Sequence, residues 1–308
     1  MQSNQILPAL PGVEHRFDEL NGVRLHYATS GHGPLMIFLH GFPEFWYQWK
    51  DQLVEFGRDF HVVAPDMRGY NLSSSPRDVG QYRIKTLVDD IRCLADSLEA
   101  DKFVLVGHDW GGLIAWAFSL YYPERLRQLV ILNAAHPAIQ ERELRENPAQ
   151  QFASQYMILF NTADAESILA EHDYAAVVDS VLGDGLQKGY VTDAERELYL
   201  AVWRDGHSLT GGLNYYRAAH LQPASVTSVE WCAREALTPE LTSFDVETPT
   251  LVIWGLQDPY LLGGNLSGLG SYVRNLKTVF FNDTGHWTNR AKSKEVNAAI
   301  REFLETAP

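Results

Sequence analysis

A short apolar segment that ends at an aspartate between glycines most constrains the fold of this chain. Phe103-Val104-Leu105-Val106 is followed by Gly107-His108-Asp109-Trp110-Gly111, and the residues from Leu113 to Leu120 predict a helix. A buried strand that passes through a tight glycine turn into a helix is a unit of α/β sheets. A sharp turn of this kind lifts one side chain above the end of the strand, and here that side chain is Asp109.

The residue type at this turn restricts the chemistry. A carboxylate is a poor nucleophile for acyl transfer, but it can displace a leaving group from a saturated carbon and form an ester on the protein. A substrate for Asp109 would then carry an electrophilic sp3 carbon, as an epoxide or an alkyl halide does. The alternative is that Asp109 only caps the helix that follows it.

Further apolar runs predict the rest of a sheet. Val23-Arg24-Leu25-His26-Tyr27 alternates in polarity after the hairpin signal Asn21-Gly22. Continuous apolar runs, typical of strands buried on both faces, occur at 35–39, 61–64 and 129–132 as well as at 103–106, and strand patterns occur again at 250–254 and 278–281. Helical spacing covers Ile84 to Ala100. We therefore predict a mostly parallel α/β sheet flanked by helices.

The pattern changes in the middle of the chain. From about Ala138 to Leu241 the residues predict helices and no strong strand, most clearly at 165–170 and 194–203. Strand patterns then return, and a final helix is expected from Ser293 to Glu305. The interpretation is an α/β core over residues 1–137 and 242–308, interrupted by a helical cap over residues 138–241.

Composition narrows the class of protein. The chain has 308 residues, 45% of them hydrophobic, and a net charge of −14 without a run of basic residues, so nucleic acid is not an expected partner. Met1 to Glu14 lacks the pattern of a signal peptide, and Phe103 to Tyr122, the richest apolar stretch, contains three glycines and Asp109, unlike a membrane span. Cys93 and Cys232 have no metal-site spacing and are expected to be buried apolar filler. We expect a cytoplasmic monomer or homodimer.

Two residues near the end of the chain complete a catalytic constellation. Asp258 follows the strand at 250–254, and His286, in Gly285-His286-Trp287, follows the last strand. The carboxyl ends of parallel strands meet at one edge of a sheet, so Asp109, Asp258 and His286 are expected to lie together in the order nucleophile, acid, base. His286 would activate water and Asp258 would orient it. Taken alone, His286 could be structural.

Hydrolysis of an ester passes through an oxyanion that backbone N–H groups must stabilise. Trp110 directly follows Asp109 and supplies one N–H. Phe42, in the loop His40-Gly41-Phe42-Pro43-Glu44, is the choice for the second, with Gly41 allowing close backbone approach and Pro43 stiffening the turn. An ordinary Gly/Pro turn is the alternative.

Together these motifs resemble the α/β-hydrolases of the epoxide hydrolase group. The matching segments are 40–44, Asp66-Met67-Arg68-Gly69-Tyr70, 107–111, Gly255-Leu256-Gln257-Asp258 and 285–287, which span almost the whole chain in the expected order. The resemblance implies an α/β-hydrolase fold with an inserted helical cap. It also implies conversion of a small apolar epoxide to a vicinal diol through an ester on Asp109, with no metal or cofactor.

The cap contains a segment, Gly212-Leu213-Asn214-Tyr215-Tyr216-Arg217-Ala218, that resembles the second cap motif of the family. By that match Tyr216 is the phenol that assists ring opening, and Tyr156, in Gln155-Tyr156-Met157-Ile158-Leu159-Phe160, is its partner. Both could instead be aromatic residues of the cap core. Tyr215 is expected to be packed nearby, and the remaining predicted pocket residues are His40, Pro43 and His108, with the two histidines supporting the site by hydrogen bonds.

Two other functions stay open on these residues. Haloalkane dehalogenases share the Asp nucleophile and often the following Trp, but one large group has Asn where this chain has Phe42. Fluoroacetate dehalogenases resemble the chain in its first loop, but they typically lack Trp110 and carry an Arg pair that 108–112 does not have. A non-catalytic binding protein is disfavoured, because such proteins usually lose the triad that this chain retains.

Overall fold

One mixed sheet forms the centre of the structure, a computed structural model that describes residues 8–223 and 241–306. Its strands within these ranges are β1 Val13–Leu20, β2 Val23–Ser30, β3 Leu35–Leu39, β4 His61–Pro65, β5 Phe103–His108, β6 Leu126–Leu132, β7 Thr250–Gly255 and β8 Leu276–Phe281. Their spatial order is β1-β2-β4-β3-β5-β6-β7-β8. β2 is antiparallel to β1 and β4, and all pairs from β4 to β8 are parallel. The predicted mostly parallel α/β sheet is confirmed.

Burial explains which strands the sequence reveals. Every residue of β3, β5 and β7 is buried, which is why these strands read as continuous apolar runs. The edge strand β1 has no fully buried residue, and its mainly polar sequence did not predict a strand. It pairs along its whole length with β2 through the turn at Asn21 and Gly22, whose φ values of 49° and 78° are those of a two-residue hairpin.

Each of the five helices predicted individually, at 84–100, 113–120, 165–170, 194–203 and 293–305, coincides with a helix of the structure, which contains further helices that were not predicted one by one. The helices of the first part are α1 Lys50–Phe56, α2 Ile84–Ser97 and α3 Trp110–Tyr121. Between β6 and β7 the described residues form α4 Pro137–Glu146, α5 Pro148–Ala153, α6 Tyr156–Phe160, α7 Ala165–Leu169, α8 Glu171–Lys188, α9 Asp193–Arg204 and α10 His207–Ala219. After β8 come α11 Thr288–Ala291 and α12 Ser293–Thr306. Residues 224–240 of the expected cap lie outside the described residues, and the domain boundaries stay a prediction.

Helices α9 and α10 are hydrogen-bonded to the loops that follow β3 and β4. Trp203 donates its indole N–H to the carbonyl of Pro43 at 2.8 Å, and the Tyr215 hydroxyl donates to the carbonyl of Arg68 at 2.8 Å. The hydroxyl of Tyr199 donates to Oε2 of Glu44 at 2.6 Å. All three side chains are buried, so these contacts hold the inserted helices over the carboxyl ends of the strands.

Two further expectations concern membranes and metals. Within residues 8–223 and 241–306, no helix combines the length and the apolar character needed to span a bilayer. In the same ranges no three His, Cys, Asp or Glu side chains are grouped as a metal site would require. Cys93 is a free, half-buried thiol, so it is less buried than expected. Cys232 and residues 1–7 of the amino-terminal segment lie outside the described ranges.

Candidate active site

Asp109 lies on a strained turn between β5 and α3. Its φ of 52° and ψ of −122° are unusual for a residue with a side chain. A Cβ on Gly41 would lie 2.5 Å from the Cβ of Asp109, so only glycine lets that loop approach the turn this closely. In the described structure the Asp109 side chain makes no capping hydrogen bond to α3, so the capping alternative has no support.

The structure brings the three predicted triad residues together. His286 Nδ1 lies 2.7 Å from Oδ2 of Asp258, and His286 Nε2 lies 3.5 Å from Oδ2 of Asp109. Asp109, Asp258 and His286 follow β5, β7 and β8, which lie close together in the parallel part of the sheet, with β6 between β5 and β7. The imidazole is buried and the carboxylates flank its two nitrogens, an arrangement that can orient the ring and pass a proton to or from its Nε2 side.

Asn133 completes the support of Asp258, and the sequence analysis did not predict it. Its side-chain N–H donates to Asp258 Oδ2 at 2.8 Å, and the N–H groups of Tyr260 and Leu261 donate to Oδ1 at 2.8 and 3.0 Å. Four donors, counting His286, thus hold one buried carboxylate. Its place in the sequence could have identified it, because Asn133 directly follows β6, the strand between β5 and β7.

Asp109 and His286 shift each other's pKa in a way that favours the charged form of both groups. Burial alone would lower the pKa of His286, but the Asp258 and Asp109 carboxylates outweigh it and raise that pKa to about 10. Burial would raise the pKa of Asp109, but the hydrogen bond and positive charge of His286 hold it below its ordinary value. At neutral pH the resting site therefore contains an ionised Asp109 beside a protonated His286.

The predicted oxyanion donors lie at Asp109. The Phe42 N–H donates to Asp109 Oδ1 at 2.8 Å. Trp110 is the first residue of α3, so its N–H is one of the helix-initial donors that have no partner within the helix. Gln48 supports the loop by accepting the Gly41 N–H at 3.2 Å.

Of the four residues predicted to line the pocket, Pro43 does so, while His40, His108 and Tyr215 lie behind its wall. This corrects their assignment to the pocket lining, whereas hydrogen bonding by the two histidines and packing of Tyr215 were expected. The reason is that backbone groups next to the site occupy their polar atoms. His40 bridges the Gly41 carbonyl and the Met67 N–H, at 2.9 and 3.0 Å. Burial lowers the pKa of His40 to about 4, so the ring is neutral.

His108 supports His286 in the same way. It bridges the side-chain amide of Gln48 at 2.7 Å and the carbonyl oxygen of His286 at 2.9 Å. Burial, and then the charge of His286, lower the pKa of His108 to about 3. A neutral ring that accepts from Gln48 must donate to the His286 carbonyl, which fixes the position of the His286 backbone.

A cavity of about 260 Å³ opens above Asp109 and His286. Its wall is mostly apolar and combines core residues with residues of α6, α7 and α8, among them Phe42, Leu159, Phe160, Val177, Val181 and Trp287. Of the apolar residues in this wall, only Phe42 and Pro43 were assigned to the site from the sequence. The sequence carries little signal for the others, because apolar residues on short helices serve a cavity and a core equally well.

Both predicted tyrosines line this cavity together with Asp109. Tyr216 lies on α10 and Tyr156 begins α6, with ring centroids 6.3 Å apart. The Tyr216 ring packs edge-on against Trp110 at 4.9 Å. Burial, assisted by the negative charge of Asp109, raises the pKa of both phenols well above the ordinary value. They are therefore neutral O–H groups, able to donate to an oxygen in the cavity.

The family comparison agrees with this geometry. A model of the alpha/beta hydrolase fold family matches residues 34–289. The chain is 35% identical over 302 residues to the AB hydrolase superfamily protein YfhM of Bacillus subtilis, covering 96% of this chain and 99% of that one. It is also 35% identical over 290 residues to mouse epoxide hydrolase 3, covering 92% of this chain and 75% of the relative.

Solved structures extend the comparison. A mutant of an epoxide hydrolase from Bacillus megaterium superposes with a TM-score of 0.88 at 37% identity, covering 94% of this chain and 100% of that chain. An epoxide hydrolase from Vigna radiata superposes with a TM-score of 0.81 at 27% identity, covering 97% and 99%. The chain therefore belongs to the alpha/beta hydrolase family. Within that family its similarity is to epoxide hydrolases, and it is a hydrolase.

Proposed function

We propose that the protein hydrolyses a small apolar epoxide to a vicinal diol through an ester on Asp109. The observation that carries the proposal is the content of one cavity. It holds an ionised carboxylate on a turn, a histidine oriented by a second carboxylate, and two neutral phenols. Ring opening needs a nucleophile and an acid at the same time, and this cavity offers both.

In the first half-reaction Oδ2 of Asp109 attacks a ring carbon. The new bond joins Asp109 to that carbon, and the carbon–oxygen bond of the ring breaks. The ring oxygen takes a proton from the phenols of Tyr216 and Tyr156, and the proton of His286 restores the phenol. The products are a neutral ester on Asp109, a free hydroxyl group and a neutral His286.

The charge change prepares the second half-reaction. Two carboxylates raise the pKa of His286 in the resting site, and esterification removes the charge of Asp109. The pKa of His286 then falls, so the ring becomes a base for water. The resulting hydroxide attacks Cγ of Asp109, and the N–H groups of Phe42 and Trp110 stabilise the oxyanion. Collapse of this tetrahedral intermediate breaks the ester bond, and the leaving alkoxide takes the proton of the new carboxyl group to give the diol. Asp109 is then ionised and His286 protonated, as in the resting site.

The substrate class follows from the cavity wall. Its mainly apolar surface suits an alkyl or aryl substituent, and polar atoms lie at the reacting end. An epoxide hydrolase from Bacillus megaterium, 37% identical to this chain, has been crystallised in mutant form with its product (R)-3-[1]naphthyloxy-propane-1,2-diol. That product is a vicinal diol with an aryl group, which supports an aryl or alkyl epoxide here. The proposal needs no metal and no cofactor.

The second candidate is dehalogenation by the same Asp109. A halide leaves as an anion and is best bound by N–H donors. The cavity instead directs two neutral phenols, Tyr156 and Tyr216, to the region of Asp109, and a phenol can also transfer its proton to a leaving oxygen. We therefore favour the epoxide.

A paired assay tests the choice. Purified protein is incubated separately with styrene oxide and with 1-bromohexane, and diol and bromide are measured. We expect diol from the epoxide, no bromide above the buffer blank, and loss of diol formation in Asp109→Ala. Bromide release without diol would replace the proposal by dehalogenation. Absence of both products would favour a binding protein.

A further inference from the structure

The main cavity opens to solvent at α8. Of the described residues that line it, only Ala176 and Ser180 are exposed, and they lie one turn apart on this helix. Val177 and Val181, which follow them in the sequence, are buried and line the cavity from the same helix. The mouth of the cavity therefore lies at Ala176 and Ser180, whose small side chains leave room for a passage.

Tyr260 of the core lies across this mouth. It follows β7 in the same loop as Asp258 and forms a half-buried part of the cavity wall. Its hydroxyl oxygen lies 2.6 Å from Oγ of Ser180, and either group can be the donor. Because Tyr260 belongs to the core and Ser180 to the inserted helices, this hydrogen bond connects the two sides of the mouth.

The core holds the rest of Tyr260 in place. Its backbone N–H donates to Oδ1 of Asp258 at 2.8 Å. Its ring packs edge-on against those of Tyr156, His286 and Trp287, with centroid distances of 5.5, 5.4 and 5.9 Å. The ring thus forms a fixed wall beside the catalytic groups, and the hydrogen bond to Ser180 is the contact that a group extending through the mouth would break.

We propose that the Tyr260–Ser180 hydrogen bond closes the mouth and thereby sets the length of the substituent that the cavity accepts. The inference deepens the proposed function and rests on it. A substituent that fits within the cavity leaves the bond intact, whereas a longer one has to pass between Tyr260 and Ser180 and break it. The favoured substrates are then aryl and short alkyl epoxides, and Tyr260 and Ser180 are specificity-determining residues.

The volume of the cavity indicates where the limit lies. An apolar protein cavity of about 150 Å³ binds benzene, so about ten non-hydrogen atoms fill 260 Å³. Styrene oxide has nine such atoms and 1,2-epoxyhexane has seven, so both fit while the mouth stays closed. The compound 1,2-epoxydodecane has thirteen, and its chain must extend through the mouth.

The test is the ratio of kcat/KM for 1,2-epoxydodecane to that for 1,2-epoxyhexane, measured below the solubility limit of the longer compound. Tyr260→Phe and Ser180→Ala each remove the hydrogen bond and keep the cavity wall. We expect each to raise the ratio about fivefold over that of the wild type, since one hydrogen bond between neutral groups contributes about that much. An unchanged ratio in either variant would overturn the inference.

The double variant tests whether the two hydroxyls act through one contact. If they do, Tyr260→Phe combined with Ser180→Ala should raise the ratio no further than either single change. Two independent gains in apolar surface would instead multiply, and that result would contradict the proposed contact. Tyr190→Phe is the matched control, because its hydroxyl donates to Asp184 at 2.6 Å near the far end of α8, and it should keep the wild-type ratio.

The affected step discriminates further. The hydrogen bond does not touch the reacting atoms, so its loss should lower the dissociation constant of 1,2-epoxydodecane more than it changes the rate of ester hydrolysis. Stopped-flow measurement of both steps checks this. A gain confined to ester hydrolysis would assign the effect to the catalytic groups and overturn the inference.

The outcomes separate this inference from the proposed function. Turnover of styrene oxide and 1,2-epoxyhexane with unchanged ratios in the variants would leave the proposed function standing and reject closure of the mouth. Absence of diol from all three epoxides would reject both. Circular dichroism melting checks the fold of each variant, and Ser180→Ala, at an exposed position, decides the test if Tyr260→Phe does not fold.

Discussion

The Phe42 N–H donates to Oδ1 of Asp109 at 2.8 Å, while Oδ2 of the same carboxylate lies 3.5 Å from His286 Nε2. The two oxygens therefore have different surroundings before any substrate binds. In the proposed reaction Oδ2 attacks, and Oδ1 becomes the carbonyl oxygen of the ester. The donor that stabilises the later oxyanion is already in place, so the backbone need not move between the two half-reactions.

Replacement of the nucleophile should abolish turnover with little loss of folding. Asp109→Ala keeps the Cβ that packs on Gly41 and removes the carboxylate. We expect diol formation to fall at least about a hundredfold, which is ~3 kcal/mol of barrier. Asp101→Ala, at an exposed aspartate, is the control. A variant that retained more than about a hundredth of the wild-type rate would contradict the covalent mechanism.

Loss of the base should trap the ester. In the proposed mechanism Asp109 and the phenols open the ring and His286 only returns a proton to the phenol afterwards, whereas release of the diol needs His286 to activate water. Intact-protein mass spectrometry of His286→Gln after mixing with styrene oxide should show a mass increase equal to one epoxide. His32→Gln, at an exposed histidine, should remain unmodified at steady state. Normal substrate consumption by His286→Gln without any adduct would refute the assigned role.

The two phenols should act in the first half-reaction only. We expect Tyr216→Phe to slow alkylation more than ester hydrolysis, by up to about a hundredfold. If the two phenols share protonation of the ring oxygen, the alkylation rate of the Tyr156→Phe, Tyr216→Phe double variant should fall much further. Tyr215→Phe also loses one buried hydroxyl but lies outside the cavity lining, so it is the control for packing. Stopped-flow measurement of alkylation decides, and an unchanged rate in the double variant would favour the halide alternative.

The origin of the diol oxygen distinguishes an ester from direct attack by water. If an ester forms, the oxygen that Asp109 places on carbon is its own carboxylate oxygen, and the oxygen of water stays on the protein. A single turnover in heavy-oxygen water with enzyme in excess should give unlabelled diol and a labelled peptide containing Asp109. Label in the diol from that first turnover would make Asp109 a general base or a structural residue.

Buried neutral histidines should make the fold sensitive to acid. The pKa values of His40 and His136 are lowered to about 4, chiefly by burial, against an ordinary value of 6.5. The unfolded chain takes up protons below pH 6.5 and the folded protein does not, so stability is present above 6.5 and is lost as the pH falls towards 4. Each such histidine should lower the free energy of unfolding at pH 5 by about 2 kcal/mol relative to its value at neutral pH.

Denaturant unfolding at pH 7.5 and pH 5 checks this pH dependence. His136→Gln removes one titrating ring, so its free energy of unfolding should fall less between the two pH values than that of the wild type. His32→Gln, which changes an exposed ring, should keep the wild-type difference. Equal losses in wild type and His136→Gln would mean that burial does not keep His136 neutral.

Local sequence determined the sheet and the positions of Asp109, Asp258 and His286. Strands that are buried on both faces must be continuously apolar, so β3, β5 and β7 could be located from the residues alone. Once the strands are parallel, the residues after their carboxyl ends must meet at one edge of the sheet, so the pattern of strands was sufficient to predict the triad. The weakly buried edge strand β1 imposes no such pattern on its residues, and it was missed.

Only the tertiary structure decided which neighbours of the triad face the substrate. His40, His108 and Tyr215 directly precede Gly41, Asp109 and Tyr216 in the sequence, yet each is turned away from the cavity to a backbone partner. Asn133 reaches Asp258 across 125 positions of the chain. The direction of a side chain on a loop or helix depends on which distant groups need a hydrogen bond there, and those groups are brought together only when the chain has folded.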